Sequence, residues 1–131
     1  MAYPRNSRLP TDAELAILRI LWDQGPSTVR EVHRTLSRRR SYGGYTTALK
    51  LLQIMTTKGL VARDESRRPQ VYRPSSSRER TERQLVRDLL ERAFGGSARR
   101  LVMQALAVKR ASAEELEQIE ELLEKLESGG R

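Results

Sequence analysis

The chain has 131 residues, with 25 Lys or Arg against 17 Asp or Glu, so its formal net charge is +8. It contains no cysteine and a single histidine, which excludes disulfides, thiolate metal sites and most constellations for catalysis or metal binding. No apolar run approaches the roughly 18 residues of a membrane span, and no signal peptide is visible. We therefore expect a cytoplasmic protein that is not an enzyme, with no cofactor, no metal and no membrane partner.

The basic excess lies in the first part of the chain. Residues 1–80 hold 16 basic and 7 acidic side chains, a net charge of +9, whereas residues 81–131 hold 9 and 10, a net charge of −1. A basic surface attracts a polyanion, so the first part is the candidate for binding nucleic acid. The pattern changes from short, punctuated segments to long helical ones near residue 77. This change predicts two domains, 1–76 and 77–131.

Two helices are predicted before residue 41, each opened by a capping box. Thr11 and Glu14 form the first box, and Gly25-Pro26 ends the helix that follows. Thr28 and Glu31 form the second box. The predicted inward residues are Leu15, Leu18, Leu21 and Trp22 in the first helix and Val29, Val32 and Leu36 in the second.

A third helix follows a Gly-containing loop at residues 41–44 and ends at Gly59. Its apolar residues recur at the helical spacing that faces a core: Ala48, Leu51, Leu52 and Met55. Its outer face offers hydroxyls, an amide and an ammonium, which are groups that bind base edges and phosphates. The predicted DNA-binding residues of this helix are Tyr45, Thr46, Thr47, Lys50 and Gln53.

Some of these side chains have two interpretations. The polar face of the third helix could be an ordinary solvated surface, although its place after two short helices favours DNA contact. Tyr45 could stack on the sugar-phosphate backbone or cap the core. Leu49 could pack on a thymine methyl group or against the structure that follows the helix.

A β-hairpin with a basic tip is predicted after the third helix. Its strands are Leu60 to Asp64 and Gln70 to Arg73, and Arg67 and Arg68 between them would clamp the DNA backbone. Three helices followed by such a hairpin form a winged helix. The predicted fold class is therefore mainly α, with an N-terminal winged helix-turn-helix domain, a small β-hairpin wing and a C-terminal helical dimerisation domain.

Three amphipathic helices are predicted after residue 77, the last opened by a capping box at Ser112 and Glu115. A segment of roughly 50 residues is near the lower limit for an independent core, so burial against a second copy of the chain is expected. The residues predicted to form this dimer interface are Leu85, Leu89, Leu116, Ile119, Leu122, Leu123 and Leu126.

Five motifs in chain order carry a family resemblance. They are Leu9-Pro10-Thr11-Asp12-Ala13-Glu14-Leu15 with Leu21-Trp22, Thr28-Val29-Arg30-Glu31-Val32, Tyr45-Thr46-Thr47 with Lys58-Gly59-Leu60-Val61, Val71-Tyr72-Arg73-Pro74, and Phe94-Gly95-Gly96-Ser97. In these motifs the chain resembles the penicillinase-repressor (BlaI/MecI/CopY) family of bacterial winged-helix regulators. The resemblance implies a homodimeric transcriptional repressor that binds an inverted-repeat operator in double-stranded DNA.

Two departures from the family concern how the repressor is released. Penicillin-responsive members are cut at an Asn-Phe bond in the penultimate helix, where this chain has Gln104-Ala105. Copper-responsive members use cysteines near the carboxy terminus, and this chain has none. The releasing signal is therefore left open between an unknown protease, a ligand and a sensor partner.

Two other classes of function stand against the repressor. A winged helix can also be an RNA-binding or protein-interaction adaptor, because a fold does not fix a function. Recognition of single-stranded RNA usually needs exposed stacking aromatics, and only 5% of this chain is aromatic. An enzyme is the least supported class, because the sequence has no nucleophile motif and no Gly-rich phosphate loop.

Overall fold

A computed structural model describes residues 9–39 and 43–129. The described residues form six helices and one two-stranded antiparallel sheet, which confirms the predicted, mainly α fold of a winged helix followed by a helical C-terminal region. In chain order the elements are α1 (Asp12–Gln24), α2 (Val29–Arg38), α3 (Tyr45–Lys58), β1 (Val61–Asp64), β2 (Val71–Pro74), α4 (Arg78–Phe94), α5 (Ala98–Val108) and α6 (Ala113–Gly129). Residues 41 and 42 of the predicted loop lie outside the described residues.

Both predicted capping boxes at the start of the chain are confirmed. The backbone N–H of Glu14 donates to Thr11 Oγ1 at 3.2 Å, and the Thr11 N–H donates to Glu14 Oε1 at 2.9 Å. Thr28 and Glu31 make the same two bonds at 3.2 and 2.8 Å. Each box satisfies backbone donors that a helix leaves without partners at its first turn.

The core of the winged helix lies between α1, α2, α3 and the wing. Its buried apolar residues are Ile17, Leu18, Ile20, Leu21, Val29, Val32, Leu36, Ala48, Leu52, Met55, Val61 and Tyr72. The predicted inward face of α1 was partly wrong, because Ile17 and Ile20 are buried whereas Leu15 and Trp22 only pack half-buried at the edge of the core. Residues 15–18 of α1 are all apolar, so the apolar arc of the helix is wide. The sequence alone therefore does not show which residues lie at the centre of this arc.

The wing is tied to the turn before α2. Strands β1 and β2 pair with Val61 opposite Pro74 and Asp64 opposite Val71. On its other side, β2 pairs with Ser27: the Ser27 N–H donates to the Tyr72 carbonyl at 3.0 Å, and the Tyr72 N–H donates to the Ser27 carbonyl at 2.8 Å. This bridge sets the base of the wing beside the start of α2.

The start of α4 is attached to the end of α1. Trp22 Nε1 donates to the Ser76 carbonyl at 3.0 Å, and the Arg78 guanidinium lies 5.6 Å from the centre of the Trp22 ring. Arg78 also forms an ion pair with Asp23. This pairing holds the pKa of the Asp23 carboxyl below its usual value.

The chain divides into two compact units, one ending at Asp88 and the other beginning at Leu89. This division falls within α4. The domain boundary predicted from the sequence, between residues 76 and 77, stays a prediction. In the second unit, none of the described residues of α5 and α6 is buried within the single chain. Among residues 9–39 and 43–129, no helix is long and apolar enough to cross a membrane.

Candidate nucleic-acid interface

The outer face of α3 carries the predicted DNA-binding side chains of that helix. Thr46, Thr47, Lys50 and Gln53 are all exposed. The helix contains no Asp or Glu, and no acidic group pairs with the Lys50 ammonium among the residues that the structure describes. The face therefore presents hydrogen-bonding groups and one unneutralised positive charge to the solvent, an arrangement suited to the bases and phosphates of DNA.

The inner face of α3 fixes the helix in the core. Ala48, Leu52 and Met55 are fully buried, whereas Leu51, also predicted to face inward, is only half-buried. Leu49 packs half-buried against the core and does not lie free on the outer face. Burial of these side chains holds the helix against rotation about its axis, so the polar face keeps one direction.

The start of α3 is shaped by a glycine. Gly43 has a φ of 71°, in the left-handed region, and a Cβ at this position would lie 3.0 Å from Thr47 Oγ1. A larger residue would therefore meet both backbone strain and the Thr47 side chain.

Tyr45, the first residue of α3, is 46% exposed and stands edge-on to His33, with their ring centres 6.0 Å apart. Tyr45 does not cap the core, so its ring is available at the surface.

An ion pair holds the other end of α3. Lys58 Nζ lies 2.7 Å from Glu14 Oε1, and the Glu14 side chain is only 3% exposed. Burial would raise the pKa of Glu14, but the Lys58 ammonium and the bonds from Thr11 outweigh burial and hold this pKa below its ordinary value. The two residues are 44 positions apart, and from the sequence only the capping role of Glu14 was predicted.

We expect Glu14→Gln to lower the free energy of unfolding by about 1–2 kcal/mol at pH 7. Glutamine can still complete the capping box, but Lys58 loses its charged partner, and the 28% exposure of Lys58 limits the loss. Because the folded pKa of Glu14 is lowered, its stabilisation is present above the ordinary value of 4.5 and is lost as the pH falls through the folded value. Urea denaturation at several pH values measures both effects.

The matched control for this variant is Glu31→Gln. Glu31 completes the second capping box but is exposed and has no described ion pair, so its change should cost less than about 0.5 kcal/mol. Equal losses in the two variants would show that the Lys58 pair contributes nothing. A gap between wild type and Glu14→Gln that persists unchanged well below pH 4 would contradict the assigned charge of Glu14.

The tip of the wing carries Arg67 and Arg68, both exposed. The turn before them is held by Asp64, whose carboxylate accepts bonds from Ser66 Oγ at 2.6 Å and Ser66 N–H at 3.0 Å. These bonds, with nearby positive charge, lower the pKa of Asp64. A formed turn presents the two arginines at the end of the hairpin with less freedom than a loose loop would allow.

The seven residues predicted for the dimer interface lie on α4 and α6. Leu85 and Ile119 are partly buried within the single chain. The other five are exposed by 40% or more: Leu89, Leu116, Leu122, Leu123 and Leu126. An apolar surface of this kind is unusual on a monomer. The second unit also exposes Val102, Met103 and Leu106 on α5.

These features define a winged-helix protein with a helical C-terminal region. The penicillinase repressor family matches residues 10–125 of the chain. The chain is 34% identical over 119 residues to the transcriptional regulator BlaI of Mycobacterium tuberculosis, in both strain CDC 1551 / Oshkosh and strain ATCC 25618 / H37Rv. The alignment covers 90% of this chain and 85% of the relative in each case.

The chain belongs to the penicillinase repressor family, which confirms the resemblance found in its motifs. It is a DNA-binding bacterial transcriptional repressor. Transcriptional regulators are not a class of enzyme. No group of histidine, cysteine or acidic residues suited to a metal ion occurs in the described ranges.

Proposed function

We propose that the protein is a cytoplasmic homodimer that represses a promoter by binding an inverted-repeat operator. In each subunit α3 enters the major groove, where Thr46, Thr47, Lys50 and Gln53 contact bases and phosphates. Tyr45 contacts the backbone beside them, and Arg67 and Arg68 hold the backbone or the minor groove from the wing.

The outer face of α3 is the observation that carries this proposal. It combines exposed hydroxyl, amide and ammonium groups with the absence of any carboxylate on the helix. An adaptor that bound another protein would more often expose apolar anchors at the centre of its surface. On α3 the exposed apolar residues are Tyr45 and Ile54, and the rest of the outer face is polar.

The proposed dimer rests on the second unit. Its helices α5 and α6 have no buried residue in the single chain, and the four leucines of α6 are exposed. Helices of this length owe most of their stability to a packed apolar face. A second copy related by two-fold symmetry would cover these apolar faces. It would also place the two copies of α3 on one face of the DNA duplex.

The experiment that tests the proposal is to map the DNA bound by the purified full-length protein among fragments of its own genome. We expect enrichment of an inverted repeat whose half-sites are centred about one helical turn, roughly 10 bp, or a small multiple apart. The site should overlap a promoter, so that bound protein excludes polymerase. Failure to enrich any double-stranded site would favour the adaptor.

The wing arginines should contribute affinity without base preference. Arg67→Ala and Arg68→Ala should weaken binding to specific and non-specific duplexes by the same factor, because phosphates are alike in every sequence. Each lost phosphate contact should reduce the slope of log affinity against log salt by about one unit. Fluorescence anisotropy over a salt series measures this slope. An unchanged slope in both variants would show that the wing does not contact DNA phosphates.

Release of the repressor is proposed to depend on a signal other than the family's Asn-Phe cleavage. The corresponding residues here are Gln104 and Ala105, both exposed on α5. An unknown protease, a ligand or a sensor partner could act on the dimer. Each of these would release DNA by separating or reorienting the two winged helices, since paired binding supplies much of the affinity.

A further inference from the structure

A cleft opens between α2, α3 and the base of the wing in the first unit. Its volume is about 570 Å³, and it is partly open to solvent. Its walls come from the start of α2, the first turns of α3 and the wing. The lining residues are Thr28, Val29, Arg30, Tyr45, Leu49, Pro69, Gln70 and Tyr72.

The shape of the cleft is fixed by backbone bonds. The two hydrogen bonds between Ser27 and Tyr72 hold the wing beside the first turn of α2. The Tyr72 side chain is only 2% exposed, so it belongs to the core beneath the cleft. Across the opening, Tyr45 leans against His33 and remains exposed. The cleft is therefore formed before any ligand arrives.

The lining suits a phosphate linked to a sugar. Arg30 supplies a positive charge, and Gln70, Thr28 and Tyr45 supply hydrogen-bonding groups. The nearest acidic residue along α2, Glu31, uses its carboxylate to accept the Thr28 N–H. The apolar part of the lining consists of Val29, Leu49 and Pro69. Beside the bound phosphate, these side chains suit the carbon skeleton of a deoxyribose better than they would suit a second charged group.

The start of α3 adds to the attraction for an anion at this place. The first turn of α3 has no acidic residue, and its N-cap, Gly44, makes no side-chain cap. Backbone N–H groups at a helix start carry partial positive charge and bind phosphates readily. This feature alone would not define a site, but here Tyr45, the first residue of α3, lines the formed cleft together with Arg30.

The geometry of B-DNA supplies the occupant. One sugar-phosphate strand separates the major groove from the neighbouring minor groove. If α3 lies in the major groove and the wing lies over the minor groove, this strand must pass between α3 and the wing. We propose that the cleft holds a segment of this strand, with Arg30 and Gln70 binding its phosphate and Leu49 contacting its sugar. The inference rests on the proposed function and assigns Arg30 and Gln70 as further DNA-binding residues.

The test combines protein variants with operator duplexes in which one phosphate at a time is replaced by a neutral methylphosphonate. The duplex is the tightest site recovered by genomic mapping, and anisotropy measures affinity. For the wild type we expect replacement to weaken binding at each contacted phosphate, and at one of these positions in each half-site the loss, roughly tenfold, should depend on Arg30. Arg30→Ala should bind the unmodified duplex about as weakly, and replacement at that same position should have no further effect. Gln70→Ala should show a smaller loss with the same position dependence.

Two further variants keep the result interpretable. Arg19→Ala removes an exposed arginine of the same unit that does not line the cleft, and it should keep the full wild-type sensitivity at that position. Arg30→Lys keeps the charge, and it should restore part of the affinity and of the sensitivity. Thermal unfolding of the Arg30 and Arg19 variants should match that of the wild type, because both side chains are exposed.

The outcomes separate the cleft from the function on which it rests. If the wild type binds its operator but Arg30→Ala retains wild-type affinity, or retains the wild-type sensitivity at every phosphate position, the cleft does not bind the DNA backbone. The proposed function would still stand in that case. If wild type binds no double-stranded site, both proposals are overturned. Loss of sensitivity in Arg30→Ala at one position, with full sensitivity in Arg19→Ala, supports the cleft.

Discussion

Leu122→Asp is expected to convert the protein from a dimer to a monomer and to weaken operator binding by about a hundredfold or more. Leu122 is 55% exposed on α6 within the single chain, and its neighbours Leu123 and Leu126 are equally uncovered. A charge placed in an apolar contact between two subunits has no partner and is costly to bury. Linking two binding sites can raise affinity by about 10²–10⁴, and a monomer loses that gain.

Sedimentation at micromolar concentration measures the assembly, and anisotropy on the operator measures the affinity. The matched control is Glu121→Asp, which places the same side chain on the adjacent, polar position of α6 without adding charge to the apolar face. This control should stay dimeric and keep wild-type affinity. A wild-type protein that is monomeric at micromolar concentration, or a Leu122→Asp protein that stays dimeric, would contradict the proposed interface.

Lys50→Ala is expected to cost about 1–3 kcal/mol on the cognate operator and to relax the preference for particular bases. Lys50 lies at the centre of the outer face of α3, exposed and without a described acidic partner. Thr47→Ala should act in the same direction. The same changes should matter much less on non-specific DNA, because base contacts are made only in the specific complex.

A competition assay against operators with single base changes measures this preference. Lys109→Ala is the charge-matched control, since Lys109 is an exposed lysine that follows α5 in the second unit. It should leave both affinity and base preference unchanged. If Lys50→Ala retains both, α3 is not placed in the major groove as proposed. A uniform loss on all sequences would make Lys50 a phosphate contact.

The elements that the sequence predicted well depend on local signals. The capping boxes at Thr11 and Thr28, the left-handed Gly59 and the hairpin all rest on residues within a few positions of one another. The polar face of α3 was also visible, because the helical period separates Lys50 from Leu52 without any knowledge of the tertiary structure.

What the sequence did not show depends on contacts between distant residues. Glu14 and Lys58 are 44 positions apart, and Trp22 and Ser76 are 54 apart. The pairing of Ser27 with Tyr72, which forms the cleft at the wing, has no local signature either. The exposed face of α6 has the opposite character: its leucines follow the period of a core helix, but the single chain provides no surface to cover them.

Nuclease footprinting of the full-length protein on a mapped promoter shows whether two copies of this winged helix bind one inverted repeat. We expect a footprint with two-fold symmetry over two half-sites, which appears in both halves at the same protein concentration. The Leu122→Asp protein should require a much higher concentration for any protection. An asymmetric footprint on a single half-site, with equal affinity for the wild type and for Leu122→Asp, would contradict the dimeric repressor.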